Sequence, residues 1–510
     1  MKILDCTLRD GGYYTNWDFD SNIVRTYLKA MNHLPVDYLE IGYRSKPMSG
    51  YAGEFFYCPA YVIEEIKTQT NKHLVIMLNE KDVSVEDIDT LLNSCNGLIY
   101  MVRLAIDPKH FKRALCLAEV IKNKGFKVCL NVMYMSKWSD QKEFIELIKG
   151  VEDIAEYFCM VDSYGGVYPE DVVATYELIK SKSNIKIGFH GHNNLELALV
   201  NTITAINCGA SIVDSTVTGM GRGAGNLKTE LLLTALNAKG NININFNELS
   251  KLVDPFVKMH EVYGWGSNLP YMVSGANSLP QKEVMEWVSN RYYSLNSIIR
   301  ALSNQSIGVK DNINLKNFNS ENTHSSALII GGGPTGSNHA HAINEFLNMQ
   351  KDICIIHASS KNAIHYAHVK QTQYHCLVGN EGYRLELIFD ALPETEKIAV
   401  LPPYPRSMGT YLPKALEGKA CQLESIDFTD RYKESVTALA IQIALNMKVH
   451  TIFFVGYDGY SGDVSCQELD LFNENVYLLD QLVHTGIKSV SLTSTEYKSI
   501  PMQSVYGFLP

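Results

Sequence analysis

Residues 2–12, KILDCTLRDGG, open the chain with an apolar run that ends in a cation and an anion side by side, Arg9 and Asp10, and then in Gly11 and Gly12. Such a run predicts a strand feeding a loop, with glycines that turn the backbone without a Cβ penalty. The pattern recurs in DYLEIGYR, HLVIMLNE, GLIYMVRLAID, KVCLNVMYM, YFCMVDSYGG, KIGFHGHNN and SIVDSTVTGMG, separated by helix-length segments. Eight continuous apolar runs with helical connections predict a closed (β/α)8 barrel, because strands buried on both faces lose the polar alternation. Arg9 with Asp10, Glu40, Asn79, Arg103, Asn131, Asp162, His190 with His192, and Asp214 fall at or near the carboxyl ends of successive strands. That is the face on which such barrels hold their active sites.

The chain as a whole sets the frame for this barrel. Its 510 residues exceed one ordinary core, so two or more domains are expected. With 45 basic against 55 acidic residues the net charge is −10, which argues against general nucleic-acid binding. The 11 cysteines are scattered without a CxxC pair and read as core residues of a protein in a reducing compartment. No apolar stretch is long enough to span a membrane, and Asp5, Arg9 and Asp10 interrupt any signal-like segment. The expected location is cytoplasmic, with neither membrane nor nucleic acid as partner, and the composition is compatible with a homo-oligomer.

GFHGHNN, residues 188–194, is the sharpest local feature. Residues two apart on a strand point to one face, so His190 and His192 can present two imidazoles to one ion, with Asp10 as the nearby carboxylate once the barrel closes. Oxygen and imidazole donors without thiolate suit Mg²⁺, Mn²⁺, Co²⁺ or Zn²⁺. Read alone, the same HxH also describes two ordinary histidines.

TLRDGG, VRLAID, VDSYGG, HGHNN and GMGRGAGN (219–226) occur in the order and spacing of the DRE-TIM metallolyases, which the first 290 residues resemble. This superfamily includes 3-hydroxy-3-methylglutaryl-CoA lyase, isopropylmalate synthase and, with the most similar motifs, 4-hydroxy-2-oxovalerate aldolase. The resemblance implies a divalent metal on Asp10, His190 and His192 with Asn226 in or beside the coordination shell, Mn²⁺ or Mg²⁺ being favoured. It implies Arg9 as the group that stabilises an enolate oxygen. Glu40, Arg103 and Asp162, by their place at the strand ends, are expected substrate contacts, and Tyr271 in WGSNLPYMVSGANSLP is either a substrate contact or an aromatic packing residue. The implied reaction is carbon–carbon bond making or breaking between a 2-oxo acid such as pyruvate and an aldehyde. Tyr13 stands where the aldolases carry a histidine; it either relays a proton as an acid or packs against the rim. A further class of function is a catalytically retired barrel carrying a working C-terminal module, against which the intact Arg9, Asp10, His190, His192 and Asn226 stand.

Residues 1–300 are thus expected as the barrel and 301–325, rich in Asn and Ser, as a linker. Residues 326–510 are expected as a Rossmann-like α/β domain with strands in ALIIGGG, DICIIHASS, YHCLVG, KIAVLPP, TIFFVGYDG and SVSLTS. Gly331, Gly333 and Gly336 satisfy GxGxxG, either as a phosphate-accepting turn or as a tight turn without ligand. No acidic residue follows the second strand to grip a ribose, so a nucleotide, nucleotide-sugar or phosphosugar is expected in preference to NAD. A distant likeness to Rossmann-type domains of bacterial glycan assembly, carried by VGYDG (455–459), points to a polysaccharide or nucleotide-sugar pathway, with Asp458 and His339 as candidate polar groups.

Overall fold

A computed structural model of the protein describes residues 1–289, 295–308, 312–319, 324–378, 381–389, 397–406, 408–409, 411–460 and 464–510. The chain divides into two units, Met1–Glu286 and Trp287–Pro510.

In the first unit, β1 (Lys2–Asp5), β2 (Tyr38–Tyr43), β3 (His73–Asn79), β4 (Met101–Ile106), β5 (Lys127–Val132), β6 (Tyr157–Asp162), β7 (Lys186–Gly191) and β8 (Ile212–Ser215) form a closed barrel. β1 closes it in parallel register with β8, from Lys2 opposite Ile212 to Asp5 opposite Ser215. Alternation along the strands divides the interior by height. Leu4, Tyr38, Met101, Cys129 and Ile212 belong to one buried apolar cluster. Two residues further along β2, β4, β5 and β8 the same face carries Glu40, Arg103, Asn131 and Asp214, and β7 adds His190. The opposite faces pack against the surrounding helices in a second, larger apolar cluster.

The first strand is shorter than KILDCTLRD suggests. It stops at Asp5, and Thr7–Asp10 forms one helical turn. The buried Asp5 carboxylate accepts from the Thr7 backbone N–H at 2.9 Å, from the Thr7 hydroxyl at 2.6 Å and from the Tyr27 hydroxyl at 2.8 Å, which folds the chain back on itself. Gly11 has an ordinary helical φ of −66°. Its need for glycine is therefore spatial: a Cβ there would lie 2.6 Å from the Met220 sulfur.

The second unit is a seven-stranded parallel sheet in the order β13-β12-β11-β10-β9-β14-β15. The strands are β9 (Ser326–Ile330), β10 (Ile353–His357), β11 (Gln373–Cys376), β12 (Lys397–Leu401), β13 (Ala420–Gln422), β14 (Thr451–Val455) and β15 (Lys488–Ser491). Ala327 and Ile329 enter one apolar cluster with the helix Val436–Asn446, whereas Leu328 and Ile330 enter another with the helix Ala340–Met349. Burial on both faces explains why ALII reads as an unbroken apolar run. β13 escaped the sequence reading because three residues at a sheet edge carry no period. The helix Leu295–Ser306 extends into the stretch expected as linker, and Phe318 donates its N–H to the Gln422 carbonyl at 2.7 Å. On β10 and β11, His357 and His375 are register partners with parallel rings 4.5 Å apart, both buried. His357 Nε2–H donates to Gln373 Oε1 at 2.9 Å, and neither ring nitrogen of His375 has a hydrogen-bond partner among the described residues. Burial lowers His357 to about 4 and His375 well below the usual imidazole range.

Candidate metal centre and active site

Ligating atoms of Asp10, His190 and His192 all lie within 4.8 Å of one another at the carboxyl end of the barrel. Each imidazole is held by its Nδ1. His190 Nδ1–H donates to Asp214 Oδ2 at 2.9 Å, and His192 Nδ1–H donates to the Asp162 backbone carbonyl at 2.7 Å. Both Nε2 lone pairs are thereby left to face an ion, the arrangement that metal-binding histidines adopt. Asn226 Nδ2 donates to Asp10 Oδ2 at 2.6 Å, while Asn226 Oδ1 is buried without a partner among the described residues. A buried oxygen with nothing to bind is costly unless a cation or donor meets it. One carboxylate, two oriented imidazoles and an orphaned amide oxygen therefore fit a divalent ion.

Arg9 sits beside this cluster with its plane fixed. Its Nε donates to Glu40 Oε2 at 2.8 Å and its Nη1 to Asp10 Oδ1. Its Nη2 has no acceptor among the described residues and remains available to a substrate oxygen. Trp17 Nε1–H donates to the Arg9 carbonyl at 2.9 Å, which pins the turn from below. Glu40 also accepts from Arg103 Nη1 at 3.3 Å, and Arg103 donates to Asn131 Oδ1 at 2.8 Å and to Asp214. The interior is thus one chain of charges running from Asp10 through Arg9, Glu40, Arg103 and Asp214 to His190. Burial alone would raise Asp10 and Asp214, but Arg9 and the histidines hold Asp10 below the carboxylate range, and Arg103 with His190 holds Asp214 at about 2. Burial, with His190 close by, lowers His192 to about 4, so its lone pair is free at neutral pH.

A model of the HMGL-like family matches residues 1–257. The chain belongs to the HMGL-like family. Membership, together with curated relatives named as aldolases and a decarboxylase, makes it a metal-dependent carbon–carbon lyase. It is 27% identical over 249 residues to an oxaloacetate decarboxylase of Mycobacterium tuberculosis, covering 47% of this chain and 71% of that protein. It is 30% identical over 250 residues to a 4-hydroxy-2-oxovalerate aldolase of Pelotomaculum thermopropionicum, again covering 47% and 71%. Among solved structures, the N-terminal domain of a candidate aldolase from Bacteroides vulgatus is 53% identical, with a TM-score of 0.57, covering 59% of this chain and all of that one.

Against the other expectations for this HMGL-like barrel, the geometry separates contact from support. Glu40 and Arg103 have no exposed surface and make the ion pairs described above, which position Arg9, Asp214 and His190. Asp162 holds His192 through its carbonyl, while its carboxylate accepts from the Gly166 N–H at 3.2 Å and burial raises it to about 6. Tyr271 is buried on the helix Leu269–Ala276, its ring against Gly223 and its hydroxyl pushed by burial up to about 12. Tyr13 is 38% exposed on the rim, edge-on to Trp17 at 5.1 Å. Asp214, noticed only as a strand-end charge, turns out to orient His190. Trp17 and Tyr43 had no signal beyond being aromatic. Among the described residues no helix is long and apolar enough to cross a membrane.

The second unit holds a cleft of about 690 Å³ at the carboxyl ends of β9, β10 and β14, where the strand order reverses. Gly331, Gly333 and Gly336 do not leave an open phosphate cradle there. Asp458, just after β14, accepts from the Thr335 backbone N–H at 2.9 Å and from its hydroxyl, so a carboxylate of the chain holds the place of an anion. A Cβ on Gly333 would lie 2.6 Å from Asp458 Oδ2, one on Gly336 2.6 Å from Asn362 Nδ2, and one on Gly331 2.5 Å from the Gly456 carbonyl. The glycines admit the chain itself. His339 meets the Tyr506 hydroxyl at 3.0 Å and does not line the cleft.

Proposed function

We propose that the barrel makes or breaks a carbon–carbon bond next to the enolate of pyruvate or a related 2-oxo acid, with an aldehyde as second substrate. An aldolase acting on a 4-hydroxy-2-oxo acid and a decarboxylase acting on oxaloacetate share one demand, negative charge on an enolate oxygen. The observation that carries the proposal is the fixed guanidinium of Arg9 beside the cluster of Asp10, His190 and His192. A divalent ion held by those three residues with Asn226 beside them, Mn²⁺ or Mg²⁺ by the donor set, supplies Lewis-acid polarisation of the 2-oxo acid. Arg9, clamped through Nε and Nη1, offers Nη2 where the enolate charge develops, and costs no reorganisation at that moment. In the addition direction Tyr13 hands a proton to the oxygen of the former aldehyde carbon as the new bond forms. In the cleavage direction the Tyr13 phenolate takes that proton, the carbon–carbon bond breaks to leave the aldehyde carbonyl and the enolate, and the enolate takes a proton from water at carbon.

The test is proton exchange. With Mg²⁺ added, ¹H NMR of pyruvate in D₂O shows metal-dependent loss of the methyl signal, suppressed by a chelator. Metal-loaded protein that leaves the signal at the buffer rate refutes the assignment.

We further propose that the second unit acts as a Rossmann-like domain and binds a nucleotide or phosphosugar in its cleft, a reading supported by the parallel sheet and the position of the cleft at its strand ends. Because Asp458 occupies the Thr335 N–H, the anionic group of such a ligand would have to meet Lys361, whose side chain lies over Gly332. Calorimetry of the full chain with nucleoside diphosphate sugars against NAD tests this: tight NAD binding would refute it.

A further inference from the structure

The loop after β8 carries a cation that nothing in the described chain neutralises. Arg222, in GMGRGAGN, makes no ion pair and no side-chain hydrogen bond among the described residues; its guanidinium lies 5.5 Å from the centroid of the Tyr13 ring. The backbone that presents it is fixed. The Arg222 carbonyl accepts from the Gly225 N–H at 3.2 Å, the Gly219 carbonyl from the Asn226 N–H at 3.0 Å, and the Gly223 carbonyl from the Tyr14 hydroxyl at 3.1 Å.

The side chain reaches the neighbourhood of the metal cluster through aromatic contacts: Arg222 lies over Tyr13, Tyr13 packs on Trp17, and Trp17 holds the Arg9 carbonyl. Tyr13 and the buried Tyr43 both pack edge-on against Trp17, at 5.1 and 6.0 Å between ring centroids, so the ring that carries Arg222 shares an aromatic cluster with the residue that pins Arg9. Across the mouth, Arg222 is close enough to Tyr134 and Tyr271 to lower both hydroxyls against the upward effect of their burial. Lys137 adds a second cation, its Nζ 4.9 Å from the Tyr164 ring centroid, and the Tyr134 and Tyr164 rings are 5.3 Å apart. The carboxylate acting on these two tyrosines is Asp107, which is engaged as the cap of Lys109. The rim is therefore a set of phenol donors with a surplus of positive charge, and a half-buried guanidinium without a partner is expensive unless an anion completes it.

We infer that Arg222 determines specificity for the second substrate: the aldehyde partner carries an anionic group, a carboxylate or a phosphate, at the end remote from its carbonyl, and Arg222 binds that group. The inference rests on the enolate chemistry proposed for the barrel, because the 2-oxo acid then occupies Arg9 and the metal cluster and leaves Arg222 to the partner. A planar fork that stacks on Tyr13 and grips two oxygens is a task for arginine more than for lysine.

The experiment uses the full chain with Mg²⁺ and pyruvate, and matched aldehydes: glycolaldehyde phosphate against glycolaldehyde, and succinic semialdehyde against butanal. The anionic member of at least one pair is expected to show a kcat/KM about 10- to 100-fold higher, and which pair shows it separates phosphate from carboxylate. In Arg222→Ala that ratio is expected to collapse towards one, mainly through KM, with Arg222→Lys recovering part of it. Equal use of both members of both pairs, or an Arg222→Ala variant that lowers charged and neutral substrates alike, overturns the inference. If pyruvate itself does not exchange, the enolate proposal fails separately. Arg222 is then judged by calorimetry of glycolaldehyde phosphate against glycolaldehyde on wild type and Arg222→Ala, where equal affinities overturn it.

Discussion

Two glycine-rich loops follow buried parallel strands in this chain, and they do opposite things. GMGRGAGN after β8 delivers Asn226 to the metal cluster with its Oδ1 buried and unmet, so the loop is complete only with something the chain does not contain. GGGPTG after β9 is filled by Asp458, which takes the Thr335 N–H for itself. In both, the residue that decides the outcome lies more than a hundred positions away, Asp10 for the first and Asp458 for the second. A glycine pattern says that backbone must come close to something; only the fold says whether that is a ligand or another part of the chain.

The contrast breaks first at the metal. Asp10→Asn or His190→Ala should reduce bound divalent ion, measured by elemental analysis after dialysis, by more than the roughly 10–100-fold that losing a supporting partner costs. Asp214→Asn, which removes the support of His190, should fall inside that range. Undiminished metal in all three would make the barrel loop as self-contained as the second one. The next effect is catalytic: Arg9→Lys keeps the charge and loses the fork, and should slow pyruvate exchange by about 100- to 1,000-fold with a much smaller change in pyruvate affinity. A loss confined to affinity would remove Arg9 from the enolate.

Acid separates the two units at a third level. Above pH 6.5 His357 and His375 are neutral in both the folded and the unfolded chain and do not affect stability. Below it the unfolded chain takes up protons that the buried pair refuses, so stability is lost as pH falls from 6.5 towards about 4, by roughly 3 kcal/mol for His357 alone. Amide exchange in β10 and β11 against pH reads this, and His375→Phe should flatten the slope; an unchanged slope would mean that the pair is already solvated. The smallest effect concerns the filled loop. Asp458→Ala removes a cap from Thr335 and should cost about 1–2 kcal/mol in urea unfolding of the second unit without changing the metal content of the barrel. Were it also to create phosphate binding, the loop would be a closed version of an anion site, which sharpens the comparison.

Much of the barrel was legible because burial on both faces writes each strand as an apolar run, and strand-end polar residues then mark one rim. HxH spacing brought His190 and His192 to one face, as alternation requires. What the sequence did not disclose depends on distance through space. Glu40 and Arg103 are read from the sequence as substrate contacts at strand ends; that they are buried and pair with Arg9 and Asp214 depends on neighbours that no local pattern announces. Asp5 ends β1 four residues before the motif that was read as part of the strand, through hydrogen bonds to Tyr27 and Thr229 that have no local signature. The glycines of the second unit show the same limit, since the carboxylate that fills their turn follows the neighbouring strand β14, 123 positions along the chain from Thr335.

The seam of the barrel gives the metal cluster a mechanical meaning. β1 meets β8 there, and the ligands straddle the junction: Asp10 follows β1, the histidines belong to β7 and its loop, and Asn226, 216 positions from Asp10, follows β8. An ion gripped by this set is a removable cross-link between the beginning and the end of the ring. It closes a loop of 216 positions, so loading the ion should slow the opening of the seam before it slows that of any other pair of strands. Hydrogen exchange with and without metal, compared between β1–β8 and β3–β4, would show the ring fastening at one place.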